Sequence, residues 1–305
     1  MSVEVNNLTK IYGTQKALDN VSFSVSEGDI LGFLGPNGAG KSTTMKILSC
    51  FIPQTSGEAT IGGKNVKSES LEVRRLVGYL PEHNPLYKDM YIKEYLLYIA
   101  KLYGIARPFN RVKDMIELTG LGREQKKLIS QISKGYRQRV GLAQAMIHNP
   151  EVLIMDEPTS GLDPNQLMEI RNVIREIGKE KIVIFSTHIM QEVEALCNRV
   201  IIINKGKIVL DDNTEKLQTV SKGSTTVMVQ FVSPGKIDTT RFKHIKGLKD
   251  IKHTENNVFE FTSERDSDIR EQIFDSCVSA GYKIIRMEHR QFSMEDIFQQ
   301  LTLKS

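Results

Sequence analysis

No run of this 305-residue chain comes near the ~18 consecutive apolar residues that a membrane-spanning helix needs. The richest stretches, Ile182–Phe185 and Val200–Ile203, have strand length only. The opening Met-Ser-Val-Glu-Val-Asn-Asn has neither a basic start nor an apolar stretch ending in a small-residue cleavage site, so a chain that stays in the cytoplasm is expected. Cysteine is scarce. Cys50, Cys197 and Cys277 are odd in number, far apart and without Cys-x-x-Cys spacing, which argues for reduced thiols and against a metal site, a redox pair or a disulfide framework. One-sided charge is missing too: 41 basic and 37 acidic residues are mixed along the chain for a net +4, whereas a nucleic-acid binder concentrates Lys and Arg on one face. No nucleic-acid partner is expected. Fixed-period repeats and low-complexity runs are also absent.

What is present is the composition of an ordinary globular protein, 40% hydrophobic and 26% charged. The length suits one large and one small domain, since single cores rarely grow past about 250 residues. In the first half, short β-branched runs alternate with helical patterns, the mark of an α/β sheet covered by helices. Expected strands are Asp29–Leu34, Val77–Leu80, Glu151–Met155 and Lys181–Ser186, with Lys41–Cys50 a helix. Between residues 87 and 147 the pattern turns helical, at Tyr91–Tyr103, Asn110–Thr119 and Lys134–Ile147, as in an insertion. Val200–Asn204, Lys205-Gly206-Lys207 and Ile208–Leu210 read as a hairpin, and the large domain is expected to span 1–215. Residues 216–305 form a small α+β domain, with strands at Thr225–Val232, Asn257–Thr262 and Lys283–Met287. Its helices are expected near Ser267–Ala280 and Met294–Leu301, with a turn at Ser233-Pro-Gly.

The chemistry begins at Gly35-Pro36-Asn37-Gly38-Ala39-Gly40-Lys41-Ser42-Thr43, which fits G-x-x-x-x-G-K-[ST] between an apolar strand and a helix. At average glycine usage, a chance match in a chain this long arises in about 1% of cases. Glycines let the backbone wrap a polyphosphate, so that consecutive N–H groups and a helix N-terminus point at the anion. On this reading Lys41 neutralises the β and γ phosphates of ATP, Ser42 places its hydroxyl on Mg²⁺ and Thr43 adds a donor near the α phosphate. A dinucleotide fingerprint is excluded by Gly-Lys-Ser and by the lack of a ribose-binding acid after the next strand.

A second element, Val152-Leu-Ile-Met-Asp156-Glu157, is an apolar strand ending in two carboxylates. Alone it could be a strand end capped by solvated acids. Coupled to the glycine loop, it offers Asp156 to the magnesium ion and Glu157 to an attacking water as general base, because neighbours on a strand point opposite ways.

These two elements, with Ile132-Ser133-Lys134-Gly135-Tyr136-Arg-Gln-Arg, Ser160-Gly-Leu-Asp163 and Ser186-Thr-His188 in that order, resemble an ABC-transporter ATP-binding cassette over residues 1 to about 215. The variant signature is similar to the drug, sodium and polysaccharide export branch, and especially to the ATP-binding subunit linked to bacterial gliding motility. The implied fold is a P-loop ABC ATPase domain with a helical signature subdomain, followed by the variable C-terminal extension of that branch. The resemblance implies that two cassettes close head to tail, Ser133 and Gly135 of one completing the γ-phosphate site of the other. It places His188 on the γ phosphate, Asp163 against the opposite cassette and Tyr12 on adenine. Glu82 stands where the family usually has a glutamine that reports to the metal and the membrane subunit, so it is a third candidate metal ligand. Lys134 replaces the family's first signature glycine, either adding charge across the interface or lying on the surface. Leu86, Tyr87, Met90 and Tyr91 could line a groove for a short helix of the membrane partner, or be helix core.

The implied partners are a separately encoded transmembrane permease and a second cassette, expected to be another copy of this chain, at the cytoplasmic face of the membrane. Two other readings carry the same engine: a soluble ABC ATPase acting on the ribosome or DNA, and a nucleotide-binding regulator without hydrolysis. The first usually has two cassettes or a long coiled coil, neither of which is found here. Intact Glu157 and His188 speak against the second.

Overall fold

The computed structural model describes residues 1–221, 225–232, 237–254, 257–263, 267–291, 295, 298 and 302. By internal contacts the chain divides into two units, Met1–Thr214 and Glu215–Ser305.

The first unit opens with an antiparallel sheet absent from the expected strands. It comprises β1 (Ser2–Tyr12) and β2 (Gln15–Ser26), joined later by β4 (Ser56–Ile61) and β5 (Lys64–Asn65), in the order β2-β1-β4-β5. The register runs Val5↔Phe23 and then slips to Leu8↔Val21. That irregularity buries Leu8 and Thr9 in succession, which breaks the period-two pattern by which such a strand is read.

The second sheet positions the chemistry. Its order is β10-β9-β3-β8-β7-β6, with β3 at Ile30–Leu34, β6 at Val77–Leu80, β7 at Val152–Asp156, β8 at Ile182–Thr187, β9 at Arg199–Asn204 and β10 at Lys207–Asn213. The β3–β8, β3–β9, β6–β7 and β7–β8 pairs are parallel, and β10 closes an antiparallel hairpin on β9. Every residue of β7 and β8 is buried, as expected for parallel strands covered on both faces. Helix α1 (Lys41–Leu48) lies against β7 and β8, α6 (Pro164–Gly178) against β8, and α7 (Met190–Leu196) against β3. The last approach is close: a Cβ on Gly32 would stand 2.7 Å from Cys197 Sγ and 3.2 Å from Val193. Helix α2 (Ser70–Leu76) leads directly into β6.

Between β6 and β7 the chain is helical, with α3 (Ile92–Leu102), α4 (Pro108–Leu118) and α5 (Lys134–Met146). Tyr95 of α3 donates to Gln144 of α5 at 2.7 Å, while Arg111 of α4 donates from Nε to the Ile147 carbonyl at 2.9 Å and caps the end of α5.

After α8 (Thr214–Ser221), the second unit holds an antiparallel sheet of β11 (Thr225–Phe231), β12 (Leu248–His253), β13 (Val258–Ser263) and β14 (Ile284–Gln291), in the order β12-β13-β11-β14. Ile273 and Cys277 of α9 (Arg270–Ala280) pack with Val227, Val229, Phe259 and Phe261 of this sheet. β12 was not among the expected strands, because none of its residues is fully buried and its burial has no period of two. The turn expected at Ser233-Pro-Gly and the closing helix expected over Met294–Leu301 fall outside the described residues, apart from single positions.

Phe185 is fully buried at the centre of the strand flanked by β3 and β7. Phe185→Ala is expected to lower unfolding free energy by about 3–5 kcal/mol, read as a reduced urea midpoint with little change in slope.

Candidate functional site

Because β3, β8 and β7 are parallel neighbours, their carboxyl ends open on one edge of the sheet. That edge is where ligands bind in open α/β sheets. The glycine loop leaves β3 at Gly35, His188 follows β8, and Glu157 follows β7. Gly40 has φ +113°, and a Cβ there would stand 2.7 Å from the Ala17 carbonyl, so both conformation and space demand glycine. At Gly35 a Cβ would run into the Ile203 carbonyl.

Asn37, Gly38, Gly40, Lys41, Ser42 and Thr43 line a cleft of about 330 Å³, together with Ala17, Glu82, Glu157, Ser160 and His188. Lys41, the first residue of α1, is buried, and its Nζ donates to the carbonyls of Gly35 (2.7 Å) and Pro36 (3.2 Å). It lies 3.6 Å from Glu157 Oε1. Burial lowers its pKa from the usual lysine value, and the negative charges of Glu157 and Asp156 pull the other way. Ala39, also in the loop, is buried and accepts the N–H of Gly206 on its carbonyl at 2.9 Å.

Asp156 Oδ1 accepts two hydroxyls, from Ser42 at 2.9 Å and Ser186 at 2.6 Å. The separation of the two acids does not come from strand alternation, as the sequence pattern suggested. Glu157 has already left the strand, with φ +50°, a left-handed conformation uncommon for any residue but glycine. Its N–H is held by Ser186, at 3.0 Å to Oγ and 3.2 Å to the carbonyl. So turned, Glu157 Oε2 meets His188 Nδ1 at 3.0 Å, and the His188 side chain is half exposed. Glu82 reaches the rim of the same cleft, with its side chain 45% exposed.

Ser133, Gly135 and Asp163 are brought together with one another and do not line this cleft. Ser133 caps α5, accepting the N–H of Tyr136 at 3.3 Å, and Asp163 caps α6, accepting those of Asn165 and Gln166 at 3.1 and 3.0 Å. Gln166 joins the two caps: its Nε2 donates to Ser133 Oγ at 3.4 Å and its amide packs where a Gly135 Cβ would stand. The Lys134 ammonium likewise covers Gly161.

Two of the expected groups are not among the residues that line this cleft. Tyr12 is not a cleft-wall residue; it ends β1 with its ring half exposed and the Lys10 ammonium 5.1 Å from its centroid. The groove beside the site is lined by Phe51, Tyr79, Pro81, His83, Pro85 and Gln144, among others, and holds about 420 Å³. Leu86, Tyr87, Met90 and Tyr91 are not among its lining residues: Leu86 is buried, while Tyr91 and Tyr87, the latter edge-on to Tyr95, stay about half exposed.

Sequence reasoning missed Ala17, Ser160, Gln166 and the bridging role of Ser186. Nothing local marks Ala17, which comes from a strand in the other sheet. Ser186 was visible only as the residue before Thr187-His188.

A family model described as ABC transporter matches residues 18–160. The bacitracin transport ATP-binding protein BcrA of Bacillus licheniformis is 43% identical over 208 residues, 68% of this chain and 68% of that protein. YxlF of Bacillus subtilis, an uncharacterized ABC transporter ATP-binding protein, is 33% identical over 298 residues, covering 97% of this chain and 98% of its own length. Among solved structures, the dimeric post-hydrolysis state of the ATP-binding cassette MJ0796, bound to ADP and Pi, aligns with a TM-score of 0.64 at 25% identity. The alignment covers 69% of this chain and 98% of that one.

Ser186→Ala would strip the buried Glu157 N–H of its hydroxyl acceptor and Asp156 of a donor. We expect a loss of about 1–3 kcal/mol, measured by chemical denaturation.

Proposed function

The chain belongs to the ABC transporter family as an ATP-hydrolysing cassette, and we propose that it is the subunit that powers a separately encoded membrane permease, working as an exporter. One observation carries the assignment of the chemistry: Glu157 stands between His188 Nδ1 (3.0 Å) and Lys41 Nζ (3.6 Å) at the mouth of the glycine-loop cleft. There its carboxylate can take a proton from a water that attacks the γ phosphorus of ATP, while Lys41 and the loop N–H groups hold the phosphates. His188 orients Glu157 through Nδ1, and when its ring carries both protons the other N–H can donate toward the γ phosphate.

The oxygens of Ser42 and Asp156 fit Mg²⁺, a hard cation that binds through one or two protein ligands plus substrate phosphates rather than an all-protein cage. When bound, Mg²⁺ would neutralise charge on the β and γ oxygens. Glu82, at the rim, adds an acid to that neighbourhood.

Ser133, Gly135 and Asp163 lie together yet apart from the cleft wall, which supports a site completed by a second cassette, here another copy of this chain. The positive end of the α5 dipole at Ser133 suits a phosphate brought by the partner. Tyr12 as an adenine platform belongs to the same proposal. No helix among the described residues is long and apolar enough to cross a membrane. Docking on a separate permease at the cytoplasmic face is part of the same proposal. A role in gliding motility, which the resemblance of the signature segment implies, is a further part of this proposal that the identity of the permease would test.

Glu157→Gln is expected to bind ATP, accumulate as a closed dimer and hydrolyse about 10²–10⁴-fold more slowly, read by size exclusion and phosphate release. Normal hydrolysis by that variant would remove Glu157 as the base. Lys41→Ala should instead lose nucleotide affinity. Purification of the tagged chain from detergent-solubilised membranes should bring down a polytopic protein. Recovery of ribosomes or DNA in its place would sink the transporter reading.

A further inference from the structure

Thr159 stands two residues after Glu157, and Thr187 stands one before His188. Both are buried, and their hydroxyls converge on one carboxylate. Thr159 Oγ1 donates to Glu192 Oε1, and Thr187 Oγ1 donates to Glu192 Oε2 at 2.6 Å. Glu192 lies in the first turn of α7 and is 1% exposed, sharing the buried face of that helix with Met190, Val193 and Leu196. Thr187 Oγ1 also accepts the N–H of Ile189 at 3.0 Å, so the end of β8 and the start of α7 close on the same group. An apolar side chain would fill this position without desolvating a charge. The contribution of the carboxylate therefore lies in what it holds.

We propose that Glu192 is a positioning residue for ATP hydrolysis. One oxygen holds the loop that leaves β7 and the other holds the loop that leaves β8, which fixes the distance between those loops. That distance keeps His188 Nδ1 3.0 Å from Glu157 Oε2. Glu157 needs such support, because its left-handed backbone is sparsely populated, and His188 needs it because its half-exposed side chain follows the end of a strand. The proposal rests on the roles given to Glu157 and His188 above.

Glu192→Gln replaces one acceptor by a donor, so one of the two threonine hydroxyls can no longer donate to it and must turn to accept, which displaces the element it holds. A displacement of this kind is expected to lower kcat about 10–100-fold. The KM for ATP should stay within about twofold, since no residue touching the phosphate loop is altered. Thr159→Val should reproduce that split, and Thr159→Ser should restore turnover. If Glu192 acts through the His188–Glu157 pair, then Glu192→Gln in a His188→Ala background should cost only about twofold more.

Independent costs that multiply in the double variant, or a raised KM with unchanged kcat, would overturn the proposal. If His188→Ala slows hydrolysis while Glu192→Gln and Thr159→Val do not, the proposal alone fails. If His188→Ala itself has no effect, the reading of the site fails and takes the proposal with it. Should Glu192→Gln not fold, Thr159→Val and Thr187→Val carry the same comparison.

Discussion

One carboxylate oxygen, Asp156 Oδ1, ties three elements together. It ends β7 and accepts the hydroxyl of Ser42, in the first turn of α1, and that of Ser186, near the end of β8. The glycine loop is therefore anchored to the acid-bearing strand by a side chain as well as through the sheet. Ser186 carries the tie one step further, since its oxygen also receives the N–H of Glu157 and holds that residue at positive φ. Without this set, the Glu157 N–H would lose the Ser186 hydroxyl that helps hold its turned backbone. Buried hydrogen bonds of this kind rigidify a site because every member is satisfied by another.

The set can form only because β3, β8 and β7 are adjacent and parallel. Parallel order makes three consecutive strand ends coincide in space, although they come from residues near 35, 157 and 188 in sequence. It also requires both faces of the sheet to be covered, which α1, α6 and α7 accomplish. The continuous burial of β7 and β8 is the sequence-level trace of that cover. Lys41 shows the electrostatic side of the same arrangement: burial disfavours its charge, while Asp156 and Glu157, delivered by the neighbouring strand, support it.

Much of the site was legible in the sequence, because phosphate-binding loops and acid-terminated strands obey local rules. Gly40 must be glycine for reasons of φ and space, and Val152–Met155 must be apolar to lie inside the sheet. The antiparallel sheet of β1, β2, β4 and β5 was not legible, since the irregularity at Leu8 breaks the alternation on which strand reading depends. Nor was the backbone turn at Glu157, whose cause is a hydroxyl 29 residues away. Gln166 and Ala17 reach their places only through tertiary contacts. Glu192 did leave a trace, as a lone acid on the apolar face formed by Met190, Val193 and Leu196, but that pattern alone does not say what the acid holds.

The division between the two clusters of candidate residues has a physical consequence. Lys41, Ser42, Glu157 and His188 share one cleft, while Ser133, Gly135 and Asp163 meet around Gln166 and leave that cleft without a further cation or hydroxyl from α5. A polyphosphate seated on the glycine loop is then met by donors on the side of Lys41 and by Ala17, Ser160, Glu82, Glu157 and His188 elsewhere on the wall. Glu82 is an acid and repels the anion. On the proposed reading, the helix end capped by Ser133, with Lys134 beside it, supplies the missing positive potential only when a second copy presents it. Lys134 covers Gly161 in the single chain, so its ammonium already stands next to the segment that leads to Asp163. The charge that stands where the family has a glycine is thus held at the cluster proposed to meet the partner.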